Sequence, residues 1–279
     1  MIKASRGVPN TIPITFDGED GPLTLAAAPS VAVSGPDGLS VTTGAATGTA
    51  GAYTYSMPAQ TRLGVYTVTA TGTLAGSPIT TAVLVEMSAG WLYGVPAFRA
   101  SDDVLTDAAR FTPAEIKDVR GAVEDEFYMI TRRAFTLRGT IETLPVFAGR
   151  FYLDKVEPYR IVAAYLNGST TALDVSTIGY EFSGECVIAD SASVNGTITV
   201  EYEYGMTAVP SDVKRVALIR GRTLILERDS GIPDRATSFQ SAEGGNYQLA
   251  TAGRAGFETG IPEVDATLKR YSINPPGVA

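Results

Sequence analysis

Between Met87 and Thr112 the hydrophobic pattern of this chain changes its period, from two residues to three and four. One regular element cannot satisfy both, because side chains alternate across a strand but recur every third or fourth position along a helix. The chain therefore has to build a β region first and helices after it. Upstream of the change lie short alternating runs: TIPITF at 11–16, SVAVSG at 30–35, LSVTT at 39–43, AYTYSM at 52–57, VYTVTAT at 65–71 and TAVLVE at 81–86. In the fifth run Tyr66, Val68 and Ala70 share one face while Thr67, Thr69 and Thr71 share the other, as in a half-buried strand. Turn signals such as Gly35-Pro36-Asp37-Gly38 separate the runs at the spacing of a sandwich.

Residues 1–87 are thus expected to form a separable β-sandwich resembling an immunoglobulin-like fold, with no cysteine pair to staple its sheets. Such a domain serves as a spacer or decoration, or binds a sugar or a protein. A linker with the only tryptophan, Trp91, follows at 88–100. Thr112-Pro113-Ala114-Glu115 then reads as a capping box with proline at the first helical position. Ile116, Val119, Val123, Phe127, Ile130 and Ala134 carry the helical period onward, which predicts an amphipathic helix over 113–133. Glu124-Asp125-Glu126 point in divergent directions on that helix, so a solvated face fits better than an acid cluster.

A second β region is expected over 136–204, with Asn167-Gly168 and Asn195-Gly196 at hairpin-turn positions. Its last strand alternates Val200, Tyr202 and Tyr204 with Glu201 and Glu203. A helix over 212–226 starts at Ser211-Asp212, and its apolar residues cover more than one face. That predicts burial on two sides, against the first helix and against a neighbouring subunit. From Glu227 to Gly260 no sustained period remains, although Ile232, Phe239, Tyr247, Leu249 and Phe257 are present. A loop of that length in a compact domain calls for a task or for a partner that orders it. Ile261, Val264, Leu268 and Tyr271 close the chain with a short helical pattern. The fold class is α+β: the sandwich at 1–87, then a helical domain at 88–279 with a β-rich insertion and an extended C-terminal segment over 227–279.

Composition removes whole function classes. The chain of 279 residues has no histidine and one cysteine, Cys186. Imidazole-dependent nucleophiles and general bases are excluded, as are internal disulfides and thiolate zinc sites. Neither a Gly-x-x-x-x-Gly-Lys-Ser/Thr loop nor a Gly-x-Gly-x-x-Gly turn is present. No enzyme activity, cofactor or metal is expected; an acid pair such as Asp229 and Asp234 could in principle hydrolyse glycosides, but carboxylates this common need a cleft to carry that meaning. Cys186, in the apolar run CVIA, reads as a small buried hydrophobe. The N-terminal MIKASRGVPN lacks a signal-peptide core and no apolar run is long enough to span a membrane, so synthesis in a cytoplasm is expected. The net charge is −8, and residues 1–86 carry three Lys or Arg against five acids. Duplex DNA is gripped through cations on phosphate, so DNA could pass such a surface but would not be held by it.

The order of elements, with YEYGM and VPSDV before the apolar helix and ERDSGIPDRATSFQSAEGG and GIPEVDATLKRY after it, is similar to head-to-tail connector (adaptor) proteins of long-tailed bacteriophages, especially those of actinobacterial hosts. The resemblance covers about residues 95–279, and the ERDSGIPDRATSFQSAEGG run is its specific part. It implies a structural virion protein that forms a ring, usually twelve-fold, beneath the portal in the phage neck. The ring extends the DNA channel and offers a docking platform to the next neck or tail-completion protein. Assembly would take place in the host bacterial cytoplasm. The resemblance puts portal and subunit contacts at Arg228, Asp229, Ser230, Ile232, Pro233, Arg235, Phe239, Tyr247, Arg254 and Phe257. The alternative is a receptor- or glycan-binding tail or surface module, which accounts for the first 86 residues and not for the last 50.

Overall fold

The computed structural model describes residues 1–49, 51–189, 193–227, 238–240, 246–248 and 258–273. The fold is α+β, with a two-sheet sandwich and a helical core interrupted by a β insertion. The sandwich contains β1 (Ile2–Ser5), β2 (Asn10–Thr15), the two-residue pair β3 (Asp17–Gly18) and β4 (Gly21–Pro22), β5 (Ser30–Ser34) and β6 (Ser40–Ala45). It is completed by β7 (Thr47–Thr49), β8 (Ala52–Met57), β9 (Gly64–Leu74) and β10 (Ser77–Ser88). One sheet runs β1-β10-β9-β5-β6 and the other β2-β8-β7. The alternating residues of the sequence supply the core: Ile12, Ile14, Tyr53, Tyr55 and Met57 from the smaller sheet, and Val31, Val33, Tyr66, Val68, Ala70, Val85 and Met87 from the larger. Strand β1 is the addition that the sequence pattern missed. It lies parallel to β10, with Ile2 opposite Val85.

The insertion contains β11 (Arg138–Val146), β12 (Arg150–Tyr152), β13 (Pro158–Leu166), β14 (Ile178–Tyr180), β15 (Glu185–Ile188) and β16 (Gly196–Tyr204). They form two three-stranded sheets, β11-β16-β13 and β12-β15-β14. Cys186 lies buried on β15, and its thiol donates to the Gly184 carbonyl. The two Asn-Gly pairs do not each turn a hairpin. They close on one another: the Asn167 amide donates to the Thr197 carbonyl at 2.8 Å, and the Thr197 amide donates to Asn167 Oδ1 at 2.9 Å. Gly196 has φ of +134°, and a Cβ there would lie 2.1 Å from Asn167 Oδ1. Glycine is the residue that leaves room for this closure.

By density of contacts the chain divides into two compact units, Met1–Gly90 with Thr136–Met206, and Trp91–Phe135 with Thr207–Ala279. This division differs from a linear cut after residue 87, because the insertion packs with the sandwich. Leu137 joins the sandwich core, and the Ala89 amide donates to the Leu137 carbonyl at 3.1 Å. A Cβ on Gly139 would lie 2.6 Å from the Leu63 carbonyl carbon, so β11 meets the sandwich backbone to backbone.

The second unit holds α1 (Val95–Arg99), α2 (Pro113–Thr131), α3 (Ser211–Glu227) and α4 (Pro262–Tyr271), with the short strands β17 (Ser238–Gln240) and β18 (Asn246–Gln248). The capping box forms as read: the Glu115 amide donates to Thr112 Oγ1, and the Thr112 amide donates to Glu115 Oε2. Helix α2 stops at Thr131, two residues before the expected end, and Arg132 takes a left-handed conformation with φ of 60°. Thr131 Oγ1 is the stop, donating to the Phe127 carbonyl while accepting from the Arg133 amide. Ala134 is therefore buried beyond the helix, and Ile130 is only half-buried. Glu124 and Glu126 depart from the solvated face expected of them. Glu124 is 3% exposed, and Glu126 accepts two hydrogen bonds from Arg220 of α3, at 2.8 and 2.9 Å. The cation that pairs with Glu126 thus comes from α3.

Candidate interaction surfaces

Of the ten residues that the sequence assigns to portal and subunit contacts, Arg228, Asp229, Ser230, Ile232, Pro233, Arg235, Arg254 and Phe257 lie outside the described residues. Phe239 and Tyr247 fall at the centres of β17 and β18, opposite one another in antiparallel register. Three-residue strands are too short to impress a period on the sequence, which is why the segment reads as aperiodic.

The flanks of that segment are built into the helical unit. Upstream, α3 buries Val213, Val216, Ala217, Gly221 and Ile225, while Leu218, Ile219, Leu224 and Leu226 stay half-buried. Downstream, Asp265 Oδ1 accepts from the Thr259 amide and hydroxyl, both at 2.8 Å, and so fixes the entry to α4. Val264 and Leu268 are fully buried and contribute about 1.5–3 kcal/mol each to holding α4. Asp212, at the start of α3, accepts from Tyr271 Oη at 2.9 Å and from Arg270 at 3.1 Å, and Arg215 pairs with Glu263. Burial opposes ionisation of Asp212. The Tyr271 and Val213 hydrogen bonds and the Arg270 charge outweigh it and hold the carboxyl below its usual range.

The helical unit also holds a buried cation. Arg120 is 5% exposed, lies 3.6 Å from the centre of the Trp91 ring and donates to the Tyr93 carbonyl at 3.3 Å. Burial pulls its guanidinium below the ordinary value, and the Glu124 charge one turn on opposes that pull. Tyr93 stacks on Phe98 at 5.1 Å. This pair needs Gly221, where a Cβ would lie 2.4 Å from Tyr93 Oη.

In the other unit a line of charge runs along one face of β16. Glu203 accepts from Arg160 at 2.9 and 2.7 Å, and from Arg6 at 3.5 Å. Two positions away on the same face, Glu201 takes both Nε and Nη2 of Arg62, the latter at 2.8 Å, while Nη1 of Arg62 reaches Asp37. The pairing with Arg62 keeps Asp37 below its usual carboxylate value. These acids alternate with Val200, Tyr202 and Tyr204 in the sequence, a pattern that does not show what they face. The structure pairs Glu203 with Arg160 of the insertion and reaches both acids with arginines of the sandwich, 139 and 197 positions distant. Beside Arg62 opens a cleft of about 300 Å³, lined by Asp37, Leu39, Ile141, Tyr165, Gly168, Ser169, Thr199 and Glu201.

Among the described residues no helix is long and apolar enough to cross a membrane, and no group of His, Cys, Asp and Glu is arranged to hold a metal. No family model matches the sequence, and no curated protein matches it. Among solved structures, a chain from the neck of an empty GTA particle computed with C6 symmetry is similar to this one at 12% identity. The likeness covers 67% of this chain and 92% of that one, with a TM-score of 0.41.

Proposed function

We propose that this chain is a subunit of a ring in the neck of a phage-type virion, between portal and tail, where it extends the DNA channel and gives the next neck protein a platform. What supports the reading is the order of elements that carries the sequence resemblance. The capped helix α2, the β insertion, the apolar helix α3 and the terminal helix α4 follow one another in that order, with ERDSGIPDRATSFQSAEGG between the last two helices. A ring closes only if every subunit offers the same two different patches. Leu218, Ile219, Leu224 and Leu226 of α3, half-buried in a single subunit, suit one of them. The segment 228–257 is the portal contact in this reading, held at its root by α3 and α4. A net charge of −8 keeps the channel wall from gripping passing DNA.

Imaging of assembled necks tests the proposal. The expected result is a closed ring of identical copies against the portal, twelve in the form the resemblance implies. A single copy, or a two-fold dimer, overturns it. Deleting residues 229–257 is expected to leave both folded units intact by circular dichroism while abolishing stable docking to the portal. Docking that survives the deletion overturns the assignment of that segment.

A further inference from the structure

The cleft beside Arg62 has a chemistry that ring assembly does not use, and it stands on observations independent of the neck reading. Its floor is the triad Asp37–Arg62–Glu201, in which one cation lies between two carboxylates. Arg62 engages Nε, Nη1 and Nη2 once each, so both terminal nitrogens keep a further N–H. The carboxylate oxygens likewise keep acceptor capacity beyond the bonds they make. Donors and acceptors thus lie side by side. The triad sets one positive charge against two negative ones, so an anion would meet two carboxylates and no unpaired positive charge to attract it. Leu39, Ile141 and Tyr165 form an apolar wall, and Ser169 and Thr199 add hydroxyls. Tyr165 lies opposite Thr199, and Ile141 opposite Glu201, in the β11-β16-β13 sheet, so wall and floor share one face.

We propose that this cleft binds a neutral saccharide. Vicinal hydroxyl groups donate and accept at once, as the triad requires, and the C–H face of a sugar ring suits the apolar wall. The cleft lies at the small end of the roughly 300–1,000 Å³ of ligand pockets, so it takes one ring or the end of a short chain. The site contains residues from both the sandwich and the insertion, and neither half forms it alone. Because the ion pairs are already made, a sugar meets a preorganised surface and little ordering opposes its binding.

The test is titration of the full chain with free glucose, galactose, mannose and N-acetylglucosamine, followed by saturation-transfer NMR. Inorganic phosphate and free lysine serve as charged controls. At least one sugar is expected to bind saturably in the millimolar range, with neither control competing. Tyr165→Ala is expected to weaken that binding about tenfold or more. Ser169→Trp, on an exposed turn at the cleft, is expected to abolish it without altering the melting temperature, and so gives a readout even if the Tyr165 variant folds poorly. Three results overturn the proposal: no sugar binding saturably, binding that survives Ser169→Trp, or lysine or phosphate occupying the cleft in preference. None of them bears on ring assembly, which is read from necks.

Discussion

Gly221 occupies the middle of α3, where a glycine costs about 1 kcal/mol relative to alanine. It is there because Tyr93 Oη would lie 2.4 Å from any Cβ and Phe98 Cε2 2.9 Å from it. Both rings are buried and stacked on each other, so neither can swing aside. Gly221→Ala is therefore expected to destabilise the helical unit by about 1–3 kcal/mol, the usual cost of overpacking, despite the gain in helix propensity. Urea denaturation followed by circular dichroism measures it, and unchanged or raised stability would contradict the packing argument. Cys186 gives a second prediction at this scale. Burial, with a smaller contribution from Glu185, pushes its thiol up to about 12, and only a thiolate attacks disulfide reagents. Ellman's reagent should leave the native chain unlabelled and label one thiol per chain in denaturant.

Among elements, α4 shows how weak local signals combine. Its two buried apolar residues are legible from their spacing in the sequence, but the polar clamp that holds it against α3 is not. Asp212, Arg270 and Tyr271 stand 58 and 59 positions apart, and no pattern in a single sequence links charges across that distance. The clamp has a pH signature. The folded-state value for Asp212 is lowered from the usual 3.8. Its contribution is therefore complete above about pH 4 and is lost as pH falls through the lower folded value. Asp212→Asn is expected to lower the melting temperature at neutral pH and to reduce its fall between pH 4 and pH 2. A fall equal to that of the parent chain would show that other carboxylates carry the acid sensitivity. Helix α2 was legible for the opposite reason, because Thr112 and Glu115 cap it within one turn. Strand β1 was hidden by its four residues and by a parallel partner some eighty positions away. The alternation at Glu201 and Glu203 was legible but their partners were not, because a period of two cannot tell water from an arginine.

For the molecule as a whole, the sandwich and the insertion share a core residue, a backbone contact and the pairing of Arg6 and Arg62 with the acids of β16. A chain that starts at Ala89 loses Arg6 and Arg62 and uncovers Leu137 and the Gly139 backbone. Truncation at that point is expected to leave the helical unit folded while β11 and β16 lose protection in hydrogen exchange. Unchanged protection there would favour a sandwich that is separable after residue 87. The candidate portal segment remained an inference from resemblance, because its identity lies in a specific run of residues and not in a period. The fold around it was legible because period and capping are local properties.

Both units are discontinuous in sequence: the chain leaves the first at residue 90, returns to it at 136 and leaves again at 206. On a ribosome that adds about 5–20 residues each second, α2 emerges roughly seven to thirty seconds before α4. Through about the first two thirds of that interval the apolar stripe from Ile116 to Phe127 has neither α3 nor α4 to pack against. The order of synthesis thus leaves a sticky helix waiting while the unit that precedes it is still being finished, and a chaperone that shields such a stripe has its window there.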